Sequence, residues 1–215
     1  MISTLSRTVT RRVDKRHPAG RAAVVLAVAL AISSCASAAP GLPPIIPSDR
    51  GETTVYIVRH AEKATNDPRD PDLSTKGLAR ADSLAIQLRE AGINYIITTQ
   101  LKRTIETAEP LARRRHITPE VVAVGSSTKA HVDSVVAAVK RQTGATILIV
   151  GHSNTIGLIA EALGGEKVGS VCDHEYSNLI VLSMPRAKPT RMLVQTYGLP
   201  DEPGDGTCKP LMMGR

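Results

Sequence analysis

The sequence has no tryptophan, no phenylalanine and only four tyrosines among 215 residues. A core built around large aromatics is therefore excluded, and Val, Ile, Leu and Ala must supply the interior, which is enough for an α/β domain. Nor is there an apolar run approaching the roughly twenty residues that a bilayer-spanning helix needs. The longest, Ala22 to Ile32, falls well short. Neither C-x-x-C nor H-E-x-x-H spacing occurs, so no metal site is expected. No internal repeat is visible, and the length suits one domain with an appendage.

What is present in excess is positive charge, a formal +7. Its distribution matters more than its sum. Arg7, Arg11, Arg12, Lys15, Arg16 and Arg21 all precede the apolar run, so a nucleic-acid partner does not follow from the isoelectric point. A basic region, a short apolar stretch and then small residues make a targeting segment over residues 1–35. Ile32-Ser33-Ser34-Cys35 resembles a bacterial lipobox, with Cys35 as the lipidated first residue of the mature chain, while Ala36-Ser37-Ala38 is an alternative signal-peptidase site. Residues 36–52, with four prolines, read as an extended tether. The folded domain is expected over 53–215, outside the cytoplasm, touching the membrane only through Cys35.

Thr54-Val55-Tyr56-Ile57-Val58 is β-branched and apolar without alternation, as in a parallel strand covered on both faces, and it runs into Arg59-His60-Ala61-Glu62-Lys63. Ala145 to Val150 repeats the design and runs into Gly151-His152-Ser153-Asn154. Between them Ile93 to Thr99 reads as a third strand, followed by Gln100-Leu101-Lys102-Arg103-Thr104-Ile105-Glu106-Thr107-Ala108, which sets Arg103 near a helix start. Polar residues at the carboxyl ends of such strands lie where α/β sheets bind ligands. Two imidazoles and two guanidinium forks at one sheet edge make a site for a phosphate dianion.

Ser74 should cap a helix with Leu78, Ala81, Leu84, Ala85, Leu88 and Ala91 inward and Gly92 closing it. Pro110 should kink or break the helix after Arg103. Val121 to Val124 reads as a short strand, Thr128 opens a helix with Val132, Val135, Val136 and Val139 inward, and Leu179–Leu182 and Met192–Gln195 as antiparallel edge strands. The expected fold is a three-layer α/β sandwich, a mostly parallel central sheet with helices on both faces. With Cys35 lipidated, Cys172 and Cys208 remain as a disulfide pair.

Val58-Arg59-His60-Ala61-Glu62, the Arg103-Thr104-x-Glu106-Thr107-Ala108 segment and Gly151-His152-Ser153, in that order, resemble the signatures of the histidine phosphatase superfamily, the phosphoglycerate-mutase-like fold. The resemblance implies that His60 attacks phosphorus and becomes phosphohistidine, that Arg59 and Arg103 bind the phosphoryl oxygens, and that His152 completes the pocket as both a phosphate contact and a catalytic group. It implies no cofactor. The leaving-group acid has no clear counterpart: the loop at Gly125-Ser126-Ser127-Thr128 carries no carboxylate and Ser153 follows the second histidine. Glu62, nearest in sequence to the nucleophile, is either that acid or a salt-bridged loop residue next to Lys63. The short spacing from Arg103 to His152 leaves no room for a long capping insertion, which favours hydrolysis of a small phosphorylated substrate over mutase chemistry. The competing expectation is a non-catalytic envelope lipoprotein that binds a phosphorylated ligand.

Lipidation has a direct check: processing should be sensitive to globomycin, and mass spectrometry should find a mature chain beginning at modified Cys35. A chain beginning at Ala39 without lipid would remove the anchor and leave export standing.

Overall fold

The chain was analysed as a computed structural model, which describes residues 51–204 apart from residue 170. These fall in one unit, Ile45–Arg215. The targeting segment, most of the tether and Cys208 lie outside the described residues. Along the chain come β1 (Thr53–Arg59), α1 (Thr75–Gln87), β2 (Tyr95–Thr98), α2 (Lys102–Arg115), β3 (Glu120–Val121), α3 (Thr128–Arg141), β4 (Thr146–Gly151), α4 (Ile156–Ala162), β5 (Asn178–Met184) and β6 (Arg191–Thr196).

They build a six-stranded sheet in the order β3-β2-β4-β1-β5-β6. β1, β2, β3 and β4 pair in parallel, whereas β5 joins β1 antiparallel and β6 joins β5 antiparallel. The sheet is thus parallel through its first four strands, with an antiparallel pair at one side. Side-chain alternation divides the core. Val55, Ile57, Ile147 and Ile149 face α3 and α4 through Val132, Val135, Val139, Ile156 and Ile159. Val58, Leu148 and Val150 face α1 and α2 through Leu84, Leu88, Ala108 and Leu111. Aliphatic residues on both faces of β1 and β4 explain why the strands read as continuous apolar runs.

Local signals held in part. Ser74 caps α1, its hydroxyl accepting from Gly77 N. The helix stops at Gln87, short of Gly92, which takes its positive φ in the following turn. Leu78, expected inside, is 51% exposed, and Arg80 is buried instead. α2 continues through Pro110, whose ring is buried in the helix, instead of breaking there. β3 is limited to Glu120–Val121, two residues paired with Ile97 and Thr98.

The first turn of α1 is pressed against the chain leaving β1. Ser74 N donates to the Glu62 carbonyl at 2.9 Å, and a Cβ on Gly77 would lie 2.2 Å from that same oxygen. Gly77→Ala should therefore destabilise the domain by about 2–3 kcal/mol, the cost of forcing volume into a filled site. Gly125, which has nothing near its missing Cβ, should accept alanine within about 0.5 kcal/mol. Urea denaturation of the two variants checks the contrast.

Candidate active site

The register of β1 against β4 creates the site. Arg59 lies opposite Gly151, and His60 N donates to the Gly151 carbonyl at 2.9 Å, so the residues that follow, His60 and His152, meet at the carboxyl edge. Their rings are 5.4 Å apart, centroid to centroid, nearly edge to face. Nδ1 of His60 is 2.8 Å from the Ala61 carbonyl. A carbonyl can only accept, so the hydrogen sits on Nδ1 and Nε2 keeps its lone pair. Burial is the chief reason that the His60 pKa falls to about 3, with the positive charges of Arg59 and Arg103 adding to it. Burial, then Arg103, lowers His152 to about 4. Both rings are neutral at physiological pH.

Helix α2 holds the loop of His60 from the other side, and this accounts for its polar sequence. Thr107 accepts from Ala61 N at 2.9 Å and donates to the Arg103 carbonyl at 2.6 Å. Glu106 accepts from Leu73 N at 2.7 Å. Thr104 bonds the β2–α2 turn and contacts Thr99, whose hydroxyl in turn lies 3.2 Å from His152 Nε2. None of these three side chains needs to touch a substrate to be required.

Arg59 is buried, and one nitrogen, Nη1, donates to the carbonyls of Cys172, Asp173 and Glu175 at 2.9, 2.9 and 3.0 Å. Its guanidinium carbon lies 4.1 Å from the centroid of the Tyr176 ring. Arg103 approaches Asp70 at 3.7 Å. In both arginines Nε is buried without a hydrogen-bond partner among the described residues. Buried donors of this kind are rare and costly unless something accepts from them. Two such guanidinium groups beside two neutral imidazoles are complementary to an anion with several oxygens.

Glu62, expected as the acid, is placed elsewhere. Both its oxygens are bonded to Arg80, through Nε at 3.0 and 2.9 Å and through Nη2 at 2.8 Å. The alternative, a salt-bridged loop residue, is what the structure has, with Arg80 as the partner. Arg80 further donates to the Leu199 carbonyl at 2.9 Å and sits 3.6 Å from Asp201. Asp201 accepts from Tyr176 N, Ser177 N and the Ser177 hydroxyl. Glu62 thus connects, through Arg80 and Asp201, to the segment whose carbonyls hold Arg59. Sequence reading missed Arg80, Tyr176 and the 172–175 turn. Cysteine was the one available signal: Cys172 is disulfide-bonded and ends that turn, although its expected partner Cys208 lies outside the described residues. Among the described residues no group of three or more His, Cys, Asp or Glu is placed to hold a metal ion.

With the geometry in place, comparison with known proteins is informative. The profile of the histidine phosphatase superfamily (branch 1) matches residues 55–124. The "Probable phosphoglycerate mutase GpmB" of Proteus mirabilis is 38% identical over 65 residues, 27% of this chain and 30% of the relative, and the protein of that name from Escherichia coli is 40% identical over the same span. The chain therefore spans under a third of the length of these curated relatives. Among solved structures, the protein histidine phosphatase SixA complexed with tungstate aligns at TM-score 0.51 and 16% identity, covering 68% of this chain and 94% of its own. A mycobacterial glucosyl-3-phosphoglycerate phosphatase aligns at 0.52 and 14%, covering 68% and 98%. At these identities the structures speak for the fold, and the sequence profile covers the motif from Arg59 through Arg103. Residues 55–124 thus match the histidine phosphatase superfamily (branch 1), and the described domain has the fold of solved histidine phosphatases.

Proposed function

We propose that the domain hydrolyses phosphomonoesters through a phosphohistidine on His60, outside the cytoplasm. The observation that carries this is the pair of neutral, buried histidines set between two guanidinium groups whose Nε donors have no partner among the described residues. Because Nη1 of Arg59 is taken by three carbonyls, the Nε–Nη2 edge is the fork left for two phosphoryl oxygens. Arg103 supplies a second cation and His152 a ring nitrogen. His60 Nε2 attacks phosphorus, the ester oxygen leaves, and water then releases phosphate from the imidazole. Positioning and charge stabilisation dominate such a reaction. The phosphatase and mutase names of the relatives and neighbours support the same class of chemistry.

A ligand-binding reading gains weight from one observation, the engagement of Glu62 with Arg80. It predicts phosphate binding with no turnover in the unaltered protein.

Three outcomes are expected of the hydrolase. His60→Ala should abolish both turnover and acid-labile phosphate labelling, because no other described side chain is set to attack. Arg103→Ala should lower kcat/KM by about 10²–10³, the usual loss of a buried charge contact to a transition state. The pH dependence has a defined sign. Each histidine binds its proton less readily folded than unfolded, where about 6.5 is usual, so unfolding takes up protons between that value and the folded values of about 3 and about 4. Stability should be unaffected by these groups above pH 7 and should fall as pH drops below 6.5, with a shallower slope in His60→Asn by thermal unfolding.

A further inference from the structure

We propose that Asp173 is the carboxyl group that protonates the leaving oxygen and then activates the hydrolytic water. This rests on the phosphoryl-transfer reading above, which requires an acid that the superfamily motifs in this chain do not supply.

The carboxylates around the site differ in what they are already bonded to. Glu62 gives both oxygens to Arg80. Glu106 accepts from the Leu73 backbone. Asp70 accepts from Lys102 N at the start of α2, at 3.1 Å, and faces Arg103. The Glu175 carboxylate is buried and accepts from Cys172 N at 2.8 Å. Each of these carboxylates is thus already engaged by a donor or a cation of the fold.

Asp173 is placed differently. Its carbonyl accepts from Arg59 Nη1 at 2.9 Å, so its backbone is fixed to the phosphate-binding guanidinium. Its side chain is fully exposed, with Oδ1 3.8 Å from Nη2 of the same guanidinium, beyond the distance of a charge-assisted hydrogen bond. It therefore borders the Nε–Nη2 fork and remains free to rotate. A phosphate dianion arriving on that fork displaces the carboxylate as counter-ion and leaves it at the rim of the fork, within reach of the ester that the fork holds.

The steps balance. As the His60 Nε2–phosphorus bond forms, the phosphorus–oxygen ester bond breaks, its electron pair stays on the leaving oxygen, and that oxygen takes the Asp173 proton. Water then attacks phosphorus, the phosphorus–nitrogen pair returns to Nε2, and the Asp173 carboxylate takes the water's proton. The sum is ester plus water giving alcohol plus phosphate, with the acid restored.

The test compares the full-length protein with Asp173→Asn, an exposed and near-isosteric change, on p-nitrophenyl phosphate and glycerol 2-phosphate. If Asp173 donates the proton, kcat/KM for the glycerol ester falls by about 10² or more, whereas the nitrophenyl ester, whose oxygen leaves without help, loses less than a tenth of that factor. The alkaline limb of the glycerol-ester profile disappears, and phosphohistidine accumulates because its hydrolysis lacks a base. Glu62→Gln, acting through Arg80, should slow both esters alike. Equal losses on the two esters in Asp173→Asn, or no loss on either, overturn the role of Asp173 while wild-type labelling of His60 keeps the hydrolase reading. Absence of turnover and labelling in the wild type overturns both.

Discussion

Everything at the site depends on the burial of one guanidinium. Arg59 is charged, almost inaccessible, and held through a single nitrogen by three carbonyls from a turn that lies more than a hundred residues on in sequence. Carbonyl dipoles and the Tyr176 face replace water around the charge without cancelling it. The charge that remains unsatisfied is displayed along the other edge, Nε to Nη2, next to His60. An arginine paired conventionally with a buried carboxylate would have lost that field. Here the carboxylate 3.8 Å from Nη2, that of Asp173, is in solvent.

The turn that does this has no regular structure to stiffen it, so it is held by others. Glu175 closes it back on Cys172 N, the Cys172 disulfide fixes one end, and Asp201 grips the backbone of Tyr176 and Ser177 at the other. Asp201 answers to Arg80, and Arg80 to Glu62, two residues beyond His60. The loops carrying His60 and the Arg59 clamp are therefore linked by one buried ionic chain. Breaking such a pair from one side leaves a charge buried and unmatched, typically at about 3–5 kcal/mol. A change at Glu62 thus reaches the phosphate fork without touching a substrate.

The sheet and the four central residues were legible in the sequence because they follow from local rules. Runs such as Thr146 to Val150 read as strands wherever they occur, and polar residues at their carboxyl ends have one place to go. Ser74 announced its helix by capping chemistry. What was illegible is what depends on partners far apart in the chain. Nothing near Glu62 shows that Arg80, on a helix whose apolar spacing pointed to Leu78, would turn inward to meet it. Nothing in Cys172-Asp173-His174-Glu175 signals that its carbonyls, groups every residue has, converge on one nitrogen. Pro110 stayed within its helix because a prolonged α2 packs against α1, a tertiary gain outweighing a local preference.

The position of β1 in the sheet also sets a schedule. The strand that leads into His60 comes early, yet both its neighbours come late: Thr54 pairs with Thr146, and Thr53 with Met184. The clamp on Arg59 comes from the same late region. A nascent chain that has emerged only as far as α3 holds His60 on an unpaired strand, with no second histidine and no carbonyls for the arginine. Non-local pairing of this kind slows folding, but it also means that the two histidines and the carbonyl clamp on Arg59 come together only late in synthesis.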